Sequence, residues 1–229
     1  MSRRDHSLTT LAWLIAAIGA TAQPAVAQQP RQLIGRFVVD VRGTSAGLPG
    51  DPGWTPVALP PETATPSRAF GLDFGAHVYV LRFKSAALGV GATWDIARGR
   101  TSPPDIPEGT TTPVVQGPSV TTRATSFAPQ VSLNFGHALG WSYVSAGLGG
   151  TRVESSAEAV SGTIAYTPVD SGWTKTINYG GGARWFVNDH VGVGFDLRWY
   201  KVSIVEPSAT SRGAPRASLL TAAVGVSLK

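Results

Sequence analysis

Hydrophobic side chains fall on every second position in eight stretches of this chain, the period of a strand whose two faces meet different surroundings. The stretches are residues 36–42, 71–80, 87–96, 127–135, 142–150, 177–187, 191–200 and 220–228. In the second, Leu72, Phe74, Ala76, Val78 and Val80 share a face; in the seventh, Val191, Val193, Phe195, Leu197 and Trp199 do. The opposite parity carries every charge within these spans: Arg36, Asp40, Arg42, Asp73, Asp95, Arg184, Asp196 and Arg198. It also carries His77, Tyr79, Gln130, Asn134 and Asn178. A slip of one residue would mix the two classes, so the pattern predicts eight strands, each apolar on one side.

The links alternate in length. Residues 82–85, 136–140 and 188–190 are short; residues 44–69, 97–126, 151–176 and 203–217 are long and rich in Pro, Gly, Ser and Thr. Every short link follows an even-numbered stretch. Barrels of bacterial outer membranes have this order, with an even strand number, short periplasmic turns and longer extracellular loops. The expected fold is therefore all-β, an eight-stranded antiparallel up-and-down transmembrane barrel.

Period alone does not say which face is inside. A soluble, lipocalin-like periplasmic carrier would have an apolar interior and a polar exterior. Three features favour the reverse. The charged face is also the glycine face, with Gly89, Gly91, Gly180, Gly182, Gly192 and Gly194, and an eight-stranded lumen has room only for side chains. Aromatic residues of the apolar face sit near strand ends, with Trp94 and Trp199 expected at the outer rim and Phe135 and Trp185 at the periplasmic rim. No Lys or Glu, the usual residues of water-facing strands, occurs inside the spans. Four arginines against four aspartates would balance in the lumen, as a plugged interior requires.

Composition narrows the class. Charged residues make up 14% of the 229, against about 25% in soluble domains. There is no cysteine, so disulfides and cysteine metal sites are excluded. The formal charge of +5 falls to +4 without residues 1–27, and no basic cluster or helix suited to nucleic acid is present. Those first 27 residues read as a cleaved secretory signal peptide: Arg3 and Arg4, an apolar run from Leu11 to Ala20, then Ala25-Val26-Ala27. The run is about half of the ~20 residues a spanning helix needs. Residues 28–229 are expected to form one domain.

The segments Gly71-Leu72-Asp73-Phe74-Gly75-Ala76-His77-Val78-Tyr79 and Asn178-Tyr179-Gly180-Gly181-Gly182-Ala183-Arg184-Trp185-Phe186 resemble the OmpA/OmpX-like outer-membrane β-barrel family, as does Gly194-Phe195-Asp196-Leu197-Arg198. The resemblance runs from about residue 33 to the end and implies the barrel and an outer-membrane location. Family members usually end in an aromatic residue, whereas this chain ends Val226-Ser227-Leu228-Lys229.

Candidate chemistry is sparse. The cluster Arg36, Asp40, Arg42, Asp73, His77, Tyr79, Asp95, Arg184, Asp196 and Arg198 is expected to form a bonded lumen core, the alternative being a narrow, porin-like conduction path. A lipid A-modifying hydrolase would need Ser, His and a carboxylate in mutual reach; His77 with Asp73 supplies half of that, and no enzyme is expected. Arg123, Arg152 and Lys201 fall on the outward parity beyond the apolar spans, as candidate contacts to lipopolysaccharide phosphates. The long loops could bind an extracellular ligand, with Trp54 and Tyr166 as aromatic anchors. Residues Thr110-Thr111-Thr112-Pro113 are low in complexity. No metal-ligand spacing or cofactor motif appears, so no cofactor is expected. The expectation is a monomeric barrel with a structural or surface-interaction role in the envelope.

Overall fold

A computed structural model of the chain describes residues 33–57, 59–60, 63–102, 117–158, 166–207 and 213–229. The expected signal peptide and the Thr110–Pro113 tract lie outside them. Nine strands run in order: β1 (Phe37–Gly47), β2 (Arg68–Arg82), β3 (Ala86–Thr101), β4 (Ser119–His137), β5 (Gly140–Glu158), β6 (Val169–Asp170), β7 (Thr174–Phe186), β8 (Val191–Val202) and β9 (Ala217–Leu228). Eight are staves. Each pairs antiparallel with the next, and β9 returns to β1 from Val39↔Leu228 to Ala46↔Thr221. The sheet is thus a closed eight-strand barrel, with β6 added at Glu154 and Ser155 of β5. Closure lets each stave bond on both edges, which a sheet in hydrocarbon requires.

The side-chain alternation follows the sequence pattern. In β1, Phe37, Val39 and Val41 are exposed while Val38, Asp40, Arg42 and Thr44 are buried. In β8, Val193, Phe195 and Leu197 face out while Asp196, Arg198 and Tyr200 are buried. The exterior is therefore apolar and the interior charged, the inverse of a soluble carrier.

At one end the staves are joined by short turns, residues 83–85, 138–139 and 187–190. At the other end they run further than the apolar alternation does. β3 continues to Thr101 and β4 begins at Ser119, so part of the expected 97–126 loop is paired strand. The ladder continues because backbone groups pair whatever side chains they carry. The alternation ends earlier because the outer face has turned polar.

Two apolar clusters close the ends of the lumen. At the short-turn end Ile34, Val38, Tyr79, Ala87, Trp141 and Phe186 pack together. Trp141 stacks on Phe186 at 4.8 Å, and Tyr79 meets Trp141 edge-on at 5.9 Å. The Lys229 ammonium lies 4.2 Å from the Phe186 ring centre and donates to the Ala138 carbonyl. At the long-loop end Trp54, on a single 3-10 turn (Pro52–Trp54), packs with Ala124, Val153, Tyr200, Val202, Ala214 and Leu219. Asp51 caps that turn by accepting from the Gly53 N–H at 2.8 Å. Trp54 is 2% exposed. It is a cork inside the barrel, which corrects the expectation of a ligand anchor on a loop. A large apolar ring at the mouth of the lumen is better covered by Tyr200 and Leu219 than by water.

Candidate functional site

Between the two apolar ends the lumen is a continuous polar network, built by inward positions of seven staves. Asp40 of β1 accepts both arms of Arg184 from β7, at 2.9 and 2.6 Å, and the Ser227 hydroxyl of β9 at 2.7 Å. Arg42 binds Asp73 of β2 through Nε and a terminal nitrogen, each at 2.6 Å. Its other nitrogen donates to the Tyr143 hydroxyl of β5 at 3.0 Å, and Tyr143 donates onward to Asp196 of β8 at 2.6 Å. The Arg184 guanidinium lies 4.1 Å from the Tyr143 ring centre. Tyr143 thus joins the two ion pairs on either side of it.

Arg198 is the second hub. It bonds Asp196 at 3.1 and 3.0 Å, Gln130 at 2.6 Å, Asn178 at 3.1 Å and Ser145 at 2.9 Å. Because the Gln130 oxygen accepts from Arg198, its amide nitrogen donates to His77 Nε2 at 2.9 Å. A guanidinium has five donors in a rigid fork, and burying one without partners is costly. Here the glutamine, asparagine and serine supply acceptors that a lone aspartate could not.

The structure brings together most of the predicted cluster, with two corrections. Arg36 is exposed at the short-turn mouth, ahead of β1, where its carbonyl accepts from the Tyr79 N–H at 2.9 Å. The lumen at that level is the apolar plug, which among the described residues offers no carboxylate, so the guanidinium stays outside it. Tyr79 itself is buried in that plug and lies outside the ionic network. Among the described residues the lumen consequently holds three arginines, Arg42, Arg184 and Arg198, against four aspartates, Asp40, Asp73, Asp95 and Asp196. The odd one is Asp95, 3% exposed, directly opposite Asp73 across β2 and β3. Among the described residues no cation lies within 4.0 Å of it.

The half-triad suggested by His77 and Asp73 does not form. His77 bonds Gln130, and Asp73 is held by Arg42. Sequence reasoning missed Tyr143, which sits on a stave with few charges, and left Asn178, Ser145 and Ser227 unassigned to partners. Their signal was only the shared inward parity.

On the outer face, Trp94 packs near Phe74 at 6.1 Å and Trp199 stacks on Tyr179 at 5.9 Å, four residues below Arg98 and two below Lys201 on their strands. At the other rim Trp185 stacks on Phe195 at 5.8 Å and Phe135 is exposed. Beyond the loop-end aromatics lies a belt of cations: Arg68, Arg98, Arg100, Arg123, Arg152, Lys175 and Lys201. Arg68, Arg98, Arg100 and Lys175 join the three cations expected from the sequence because the paired strands run on beyond the apolar alternation. Lys201 donates to Ser218 at 2.9 Å. Two of these cations have carboxylate partners: Arg100 lies 3.8 Å from Glu158, and the Arg152 fork is taken by Asp170 at 2.9 and 2.5 Å, with Glu154 at 3.1 Å. Arg152, a candidate contact to lipopolysaccharide phosphates, thus has its guanidinium engaged by carboxylates.

The same clamp carries a pH prediction. The Arg152 hydrogen bond holds the Asp170 carboxyl below the ordinary aspartate range. A depressed folded value means that the stabilisation is complete above the unfolded pKa and is lost as pH falls through the folded one. The β5–β6 pairing is therefore expected to persist through mild acid and to loosen only at lower pH. Carboxyl NMR of Asp170 checks this; titration at the normal aspartate position would contradict it.

No protein-family profile matches the chain, and no curated protein does. Solved structures with a similar outline include Ail, the attachment invasion locus protein of Yersinia pestis, at 10% identity and TM-score 0.48, covering 85% of this chain and 98% of that one. Neisserial surface protein A follows at 14% and 0.46, covering 85% and 97%. The outer membrane protease OmpT of Escherichia coli has 9% and 0.44, covering 89% and 98%. These are likenesses of architecture; the closed eight-strand ladder itself stands on this chain's own register.

Proposed function

We propose that this protein is an integral protein of a bacterial outer membrane, exported behind a cleaved signal peptide. It acts as a sealed, monomeric, non-enzymatic barrel with a structural or surface-interaction role. The short turns then face the periplasm and the long loops the cell exterior. The observation that carries the reading is the lumen: ion pairs and hydrogen bonds fill its middle, and apolar clusters close both ends. An apolar exterior wrapped around a charged interior suits lipid outside and no solvent path inside. The basic belt at the loop end is placed to meet anionic outer-leaflet headgroups, with Arg123 and Lys201 among its members. The loops remain the surface for any extracellular ligand.

Planar-bilayer recording tests the sealed lumen. The refolded protein is expected to give no unitary current steps. Trp54→Ala is expected to stay closed as well, because the Arg42–Tyr143–Asp196 layer lies beneath it. Regular single-channel steps from the parent would overturn the proposal in favour of a narrow pore.

A further inference from the structure

Arg98 of β3 and Arg123 of β4 are directly opposed in register on the outer face, both exposed. Like charges placed opposite one another across strands are destabilising. Among the described residues no carboxylate lies within 4.0 Å of either. Glu154 is Arg123's neighbour on β5, but it sits 3.1 Å from Arg152, which also binds Asp170. The two guanidiniums edge a cleft of about 340 Å³ that Thr121, Ser156 and Glu154 also line, the Glu154 carboxylate being drawn toward Arg152 at 3.1 Å. Guanidinium forks flanked by hydroxyls match the oxygens of a phosphate.

The same strands carry an apolar hollow nearer the barrel's middle. Trp94, Phe127 and Gly150 are successive partners across β3, β4 and β5, and with Trp173 they line an open hollow of about 340 Å³. Gly150 makes it possible, since a Cβ there would stand 3.0 Å from the Trp173 ring. Trp94 is four residues from Arg98, and Phe127 four from Arg123. That places hollow and cleft about 13 Å apart along the strands, at ~3.3 Å per residue.

We infer that this face of β3–β5 is a discrete site for one phosphorylated lipid of the outer leaflet, its phosphate between Arg98 and Arg123 and its acyl chain in the Trp94–Phe127–Trp173 hollow. The site rests on the outer-membrane reading above. It differs from general attraction to the basic belt in its stoichiometry and in its need for both halves. Arg152 and Lys201 have no part in it.

The test is native mass spectrometry of the protein released from phosphatidylcholine nanodiscs doped with lipid A. The parent is expected to retain one lipid A per chain. Arg98→Gln/Arg123→Gln is expected to lower retention about tenfold, as loss of two charge-assisted contacts implies. Trp173→Ala is expected to lower it too, whereas Lys84→Gln, in the short turn at the opposite end, leaves it unchanged, and Lys201→Gln lowers it by less than the double variant. All these side chains are exposed, so the variants fold. Equal retention by the double variant, equal retention of dephosphorylated lipid A, or full displacement by inorganic phosphate would each overturn the site. An equal loss on Lys201→Gln would overturn the discrete site and leave the belt reading standing. No lipid A bound to the parent would overturn both.

Discussion

Asp40→Ala is expected to destabilise the folded barrel by about 3–5 kcal/mol, the usual cost of stripping one partner from a buried ion pair. Asp40 is 0% exposed and takes both arms of Arg184. Its removal leaves Arg184, at 1% exposure, with no carboxylate and Ser227 with no acceptor there. The guanidinium cannot reach water, because the Trp141–Phe186 plug lies on one side and the Arg42 layer on the other. Urea unfolding in detergent micelles, followed by tryptophan fluorescence, measures the shift. Asp95→Asn is the matched contrast. That carboxyl has no cation beside it and faces Asp73, so an amide of equal size is expected to leave the midpoint unchanged or raise it. If both variants lost stability equally, the lumen would not be organised by the pairs described here.

Gly182→Leu is expected to be comparably severe, at least about 3 kcal/mol, the upper part of the range for overpacking. The position is inward on β7. A Cβ there would stand 2.0 Å from the Phe195 carbonyl of β8 and 2.9 Å from the Tyr143 hydroxyl. The carbonyl belongs to the ladder and has little room to yield, and the hydroxyl is the link between Arg42 and Asp196. One substitution thus disturbs strand pairing and the ionic hub together. Gly43→Ala gives the control, since a Cβ there meets only the Val224 carbonyl, at 3.9 Å. The same unfolding assay should show it near the parent. Tolerance of leucine at Gly182 would mean that the lumen has free volume, which would also reopen the question of conduction.

The amino-acid sequence by itself determined the eight staves, their turn order and the inner and outer faces. It could do so because alternation is a local property: each residue's polarity reports the medium its own side of the strand meets. Partnership is not local. Asp40 and Arg184 are 144 residues apart, and only closure of β9 on β1 brings them together. The sequence reading placed Arg36 in the lumen by parity alone, and the three-dimensional packing of Trp141 and Phe186 excludes it. Parity likewise could not rank Tyr143 above other inward residues, since its role comes from standing between Arg42 and Asp196.

The outer face divides in the same way. The apolar spans ended where the side chains turned polar, so Arg98 was read as loop, yet the backbone ladder carries it on and sets it against Arg123. Trp54 looked like an exposed anchor because a loop residue is expected to meet water. Tertiary structure decided otherwise, by giving that indole an apolar mouth to fill. Which side each residue faces is written along the chain; what it meets there depends on strands that arrive from far away in sequence.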